Sequence, residues 1–191
     1  MRIPHSAFLS IGTMLVFICM VGSRPMAQDP WYEQSVQRDM TGDGEPETLV
    51  LRADGPAADR LTVTFTIQGS TGRLYRTQWK SQFYFVYTPP SLDKTEPDAV
   101  ERYVRKFFTG FFDGDKFSTV RAEPGLTTES REMSDAYALA YNLGEAEAEE
   151  VFQDMFDHDV PTFTFFSGGE LLRTLAWSPK RNRFYVVLEC C

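Results

Sequence analysis

Leu61-Thr-Val-Thr-Phe-Thr-Ile67 is the stretch from which the fold is read. Leu61, Val63, Phe65 and Ile67 alternate with Thr62, Thr64 and Thr66. A period of two places the four apolar side chains on one face of a strand and the three threonines on the other. A dry face backed by a wet face of β-branched residues predicts an antiparallel sheet, since strands of parallel sheets are apolar on both sides. Outward from it, Gln68-Gly-Ser-Thr-Gly72 reads as a hairpin loop leading to a strand over 73–79. A further short strand is expected over 83–87, and Pro89-Pro90 ends the segment. On the other side, 54–59 is a loop with Gly55 and Pro56, 48–52 a strand and 31–37 a weaker strand.

The period then changes. Val100, Tyr103, Val104, Phe107, Phe108 and Phe111 recur at helical spacing over 97–112, with Glu101, Arg102, Arg105 and Lys106 opposite. Pro97 and Asp98 suit the first turn, and Asp113-Gly114-Asp115 stops the helix. A second helix is expected over 133–143. A third spans 146–157, with Ala148, Val151, Phe152, Met155 and Phe156 as its apolar stripe, closed by Pro161. Strands over 162–166, 170–177 and 183–189 follow, turned at 167–169 and 178–182. The expected fold is α+β: antiparallel β-meanders of about seven strands, with two or three helices packed on one face, in a single domain.

Composition narrows the function. The 191 residues carry 27 acids against 19 bases, a formal charge of −8, and show no basic stripe, so no nucleic-acid partner is expected. Three Cys and two His are too few for zinc fingers or a disulfide framework. Residues 129–159 hold ten acids and one base, Arg131, which reads as a solvated helix face or as a surface for cations or basic partners.

Residues 1–27 have the features of a secretory signal peptide: Arg2, an uncharged run over 7–21, and a cleavage site after Ala27, with Ser23 as an earlier possibility. Retention of 7–21 as an N-terminal anchor of an envelope protein is the alternative. Removing 1–27 from 191 leaves 164 residues, one domain over 28–191, and takes off two bases and no acid, for a charge of −10. The expected location is secreted or periplasmic, with no membrane span in the mature chain. Its remaining cysteines, Cys190 and Cys191, are adjacent; they can pair with each other, pair with another molecule, or stay free.

One loop carries chemistry. Asp39, Thr41, Asp43, Glu45 and Glu47 occupy alternate positions of a nine-residue segment, with Gly42 and Gly44 allowing tight winding. Calcium takes six to eight hard oxygens. Carboxylates of Asp39, Asp43 and Glu47, the Thr41 hydroxyl or a water, and the Glu45 carbonyl would converge on one ion. The run DMTGDGEPE followed by the strand TLVLR resembles the calcium loop of FG-GAP (integrin-like, VCBS-type) repeats. That resemblance covers about 14 residues and implies a calcium-bound β-hairpin, with no activity attached. The plain alternative is an Asp/Gly turn. An EF-hand reading fails because Val50 stands at position 12 and a strand follows. Residues 175–186 resemble the strand–turn–strand of a TolB-type propeller blade, but 164 residues interrupted by helices cannot supply four blades, so both segments read as local hairpins.

Few residues suit catalysis. The mature chain has one His, His158, four residues after Asp154; the pair is either a minor acid–base or metal site or an ordinary helix end. No nucleophile elbow, zincin or phosphate-loop motif is present. Trp31, Tyr32, Trp79 and Trp177 could stack on a sugar or peptide, or serve as core residues. The expected function is a non-enzymatic binding or accessory protein for an unknown protein or polymer, stabilised by one calcium ion. The alternative is an extracellular carboxylate-dependent, glycosidase-like hydrolase.

Overall fold

The computed structural model describes residues 29–85, 92–93, 95–127, 143–168 and 171–190. The expectations for the signal segment 1–27, for Pro89-Pro90, for nearly all of the helix over 133–143, and for Cys191 lie outside the described residues.

Four strands, β1 (Tyr32–Arg38), β2 (Glu47–Asp54), β3 (Thr62–Gly69) and β4 (Gly72–Lys80), form one antiparallel meander in chain order. The alternation read in 61–67 holds: Leu61, Val63, Phe65 and Ile67 are fully buried, and Thr62, Thr64 and Thr66 stay partly open. In β2 the inward row is Glu47, Leu49, Leu51 and Ala53.

After β4 the chain folds into a 3-10 helix, Ser81–Phe85, where a strand over 83–87 was expected. The reason is local pairing. Ser81 is fully buried, its hydroxyl accepts from the Leu61 amide at 2.9 Å, and its own amide donates to the Leu61 carbonyl at 3.1 Å. The turn then brings the Tyr84 hydroxyl back to accept from Trp79 Nε1 at 2.8 Å. Strand periodicity does not register such a return.

Helix α1 (Pro97–Thr109) carries Pro in its first turn and ends at Gly110, leaving Phe111 and Phe112 in the turn beyond. A second meander follows: β5 (Phe117–Thr119), β6 (Pro161–Phe166), β7 (Leu172–Ser178) and β8 (Arg183–Cys190), antiparallel in that order. The described residues thus hold eight strands. β5 has three residues, too few for a period to show, and exists by pairing with β6. Helix α2 (Glu145–Asp157) is inserted between β5 and β6.

Phe65 of the first sheet meets Phe163 and Phe165 of the second at ring separations of 5.3 and 5.2 Å, and Tyr75 meets Phe184 at 6.2 Å. One apolar cluster therefore spans both sheets, and α1 contributes Val104 and Phe108 to it. A second cluster lies between α2 and residues of β7 and β8: Ala148, Val151, Phe152 and Met155 against Ala176, Tyr185 and Val187. Helices α1 and α2 serve different clusters rather than one shared face. β7 supplies both, with Leu175 and Trp177 in one and Ala176 in the other. Among the described residues, no helix is long and apolar enough to cross a membrane.

Candidate functional site

The segment between β1 and β2 closes a hairpin whose last ladder pair is Arg38–Glu47. Gly42 and Gly44 have φ of +78° and +92°, the left-handed conformations for which Gly carries no Cβ penalty. With the chain wound this way, amides point inward and need acceptors. Asp39 supplies two: Oδ1 accepts from the Gly42 amide at 2.7 Å and Oδ2 from the Gly44 amide at 2.9 Å. Asp43 Oδ1 accepts from the Glu45 amide at 2.9 Å.

Glu47 is only 4% exposed. It is the first member of β2's inward row, so register carries its carboxylate to the dry side. There Oε2 accepts from the Met40 and Thr41 amides at 2.7 and 3.3 Å, and Oε1 from the Thr41 hydroxyl at 3.2 Å. Met40, buried to 1% exposure, anchors the start of the loop. Asp39, Asp43 and Glu47 thus each accept from the loop's own backbone and Thr41 donates to Glu47, while Asp43 and Glu45 are exposed. Each carboxylate oxygen that takes one N–H keeps a further lone pair. Among the described residues no three His, Cys, Asp or Glu side chains gather as a metal-holding group. That observation concerns centres built from side chains alone; calcium also draws on carbonyl, hydroxyl and water oxygens.

Thr41, Gly42, Asp43 and Glu47 form one wall of a cleft of about 480 Å³. The β3–β4 turn, through Ser70, Thr71 and the nearby Leu74, forms a second wall. The second sheet completes it: His158 and Val160 from the junction of α2 and β6, with Trp177, Pro179 and Asn182 from the end of β7 and its turn. Residues spread from 41 to 182 are brought together because both sheets present hairpin ends on the same side. The backbone of Asn182 is left-handed, at φ +51°, a conformation Asn tolerates in tight turns.

The cleft is acidic by arrangement. Among its described lining residues there is no Lys or Arg. The two cations of the β7–β8 turn are engaged with α2 instead: Lys180 with Glu150, and Arg181 with Glu147 at 3.4 Å and Glu150 at 3.7 Å. The Lys180 ammonium beside it holds the Glu150 carboxyl below its ordinary range. Part of the acidic run therefore faces a basic turn that periodicity in 129–159 could not reveal.

Asp154 and His158 are adjacent but differently employed. Asp154 Oδ2 accepts from Ser178 Oγ at 2.8 Å and from the Lys180 amide at 3.0 Å, tying the turn to α2. His158 Nδ1 lies 2.7 Å from the Asp154 carbonyl oxygen and 3.6 Å from its Oδ1. Ser178, fully buried, is bonded to Asp154 rather than to the imidazole, so no serine–histidine relay is formed here. Of the four aromatics considered for stacking, Trp79 and Trp177 are buried at 6% and 7% exposure and Trp31 and Tyr32 are half-buried.

A second groove of about 690 Å³ lies near Trp31, Phe85 and Val100. It is more apolar, and Arg105 stacks on the Trp31 ring at 4.3 Å. Comparison with protein-family models, curated proteins and solved structures finds no match for the chain.

Proposed function

We propose that the protein is an exported, non-enzymatic binding protein whose ligand site is the cleft beside the 39–47 loop, with one calcium ion stabilising that loop. The observation that carries the reading is the meeting of the loop wall with three turns of the two sheets around one polar-and-apolar cleft of about 480 Å³. Small-ligand sites commonly have this make-up: a concave shape, an apolar floor and a few placed polar groups.

For calcium, the support is the inward turn of the carboxylates. Asp39 and Glu47 are directed onto the loop, not splayed into solvent, and both Asp39 oxygens and Glu47 Oε1 take one donor each and retain a lone pair. Saturating calcium should raise the melting temperature. At a concentration of about 100 times Kd the gain is about 2.7 kcal/mol, and extracellular modules bind in roughly the 0.1–1 mM range. The Asp39→Ala, Asp43→Ala double variant should lose the shift. An unchanged melting temperature in millimolar calcium, or a shift of the same size in the double variant, removes the ion from the proposal.

The hydrolase reading has less support. Two acids, Asp43 and Glu47, line the cleft, but the Glu47 carboxylate already takes two amides and a hydroxyl. Mass measurement of the secreted chain's N-terminus tests export: a start at Gln28 supports it, and an intact residue 1 opposes it.

A further inference from the structure

We infer that strand β4 (Gly72–Lys80) is a docking edge for an extended acidic peptide, which adds to the first sheet as a fifth strand. The surface is separate from the cleft, whose described lining includes Leu74 of this strand and none of its bases.

Two independent observations meet on this strand. The first is its backbone. The first sheet runs β1-β2-β3-β4, so β4 is paired on one side, by β3. Every second residue of such an edge strand turns its N–H and C=O away from the sheet. Among the described residues nothing bonds to those groups of β4.

The second observation is charge. Arg73, Arg76 and Lys80 are exposed. Plain alternation would put Arg73 on the opposite face from Arg76. A register shift between Ile67 and Gln68 leaves Leu74 out of the ladder. Arg73 therefore stands opposite Gln68, Arg76 opposite Thr66 and Lys80 opposite Thr62, so all three bases share the sheet's outer face with the threonine row. Neither β3 nor β4 contains an acid. Among the described residues Arg73 and Arg76 have no carboxylate partner, and Lys80 Nζ donates to the Thr62 hydroxyl at 2.7 Å.

These charges select the occupant. Two β4 edges set side by side would bring bases against bases, so a second copy is repelled, the usual guard on an open strand. A strand with acids at alternate positions meets the bases on one face while its backbone completes the ladder. Strand addition divides the work in this way, main-chain bonds giving affinity and alternate side chains specificity.

The test is a chemical-shift and hydrogen-exchange titration of the ¹⁵N-labelled protein at low salt. The probe is the acetylated and amidated peptide TEVEVET. Three controls accompany it. TQVQVQT keeps the strand pattern without the charge, TEPEPET keeps the charge but lacks ladder donors, and oligothymidylate is a polyanion with no peptide backbone. TEVEVET should move the Arg76, Gln78 and Lys80 amides saturably and slow exchange at alternate amides of β4, a signature of strand pairing. The controls should leave exchange on β4 unchanged. Joint Arg76→Gln and Lys80→Gln substitution, at two exposed positions, should weaken binding about tenfold, the scale of two surface ion pairs. Raising the salt to physiological strength should weaken it too. An equal response to TQVQVQT, exchange left unchanged by TEVEVET, or binding of TEPEPET or oligothymidylate as tight as that of TEVEVET overturns the inference.

Discussion

Glu47 shows how one position serves two patterns. In the loop it is the ninth residue of a run of alternating oxygen-bearing side chains. In the strand it is the first residue of an inward row completed by Leu49, Leu51 and Ala53. The second pattern decides its burial, and the first decides that amides await it there. A carboxylate at 4% exposure is tolerated because three donors replace its water. Removing it strands the Met40 amide in a buried setting. Glu47→Ala should therefore cost about 2–3 kcal/mol in urea unfolding, the penalty of an unmade bond to a charged group. A loss below about 0.5 kcal/mol, the scale of an ordinary surface substitution, would show these bonds to be incidental.

Among the elements, the 3-10 turn after β4 is the clearest case of tertiary contact overriding a local pattern. Phe83, Tyr84 and Phe85 look strand-like, yet Tyr84 is buried and stacked on Phe107 of α1 at 4.5 Å. Burial pushes the Tyr84 hydroxyl well above its ordinary value of 10, opposed in part by the Trp79 bond. The sign follows from that direction. Below pH 10 the hydroxyl is protonated in both folded and unfolded chains, and its contribution is fully present. Above pH 10 the unfolded chain ionises first, and stability is lost as pH rises. Unfolding free energy should fall between pH 10 and 11. Tyr84→Phe should flatten this fall while lowering stability throughout by about 1–3 kcal/mol, because the buried Trp79 N–H loses its acceptor. Tyr75, also raised by burial, leaves a residual slope. An identical slope in the variant would assign the pH effect elsewhere.

On the scale of the whole molecule, two meanders separated in sequence by α1 share one apolar cluster. Phe65 sits at its centre, touching the rings of Tyr75, Phe111, Phe112, Phe163 and Phe165. A shared core couples the sheets, so denaturation followed by tryptophan fluorescence and by far-ultraviolet circular dichroism should give coincident curves. Phe65→Ala should shift both curves together by about 3–5 kcal/mol, the usual cost of deleting a buried ring. Curves that separate, or a variant that moves only one of them, would show two independently folding sheets.

Much of this architecture was legible in the chain. The alternation in Leu61–Ile67, the helical spacing in α1 and α2, and the hairpins around 39–47 and 178–182 are periodic or turn-coded, and local patterns of that kind survive into the fold. The loop's candidate oxygens were legible too, because Asp and Gly at fixed offsets are a local matter. What no local pattern contains is a partner distant in sequence. Three-residue β5 depends on β6, the Tyr84 turn depends on Trp79 and α1, and Lys180 and Arg181 depend on Glu147 and Glu150. The cleft is the furthest from sequence reach, since its walls come from positions 41 to 182 and acquire meaning only when the two sheets face each other. Sequence determined which residues could form strands, helices and an oxygen-rich loop, through short-range periodicity. Tertiary structure alone decided what that loop confronts, because long-range packing sets which hairpin ends stand side by side.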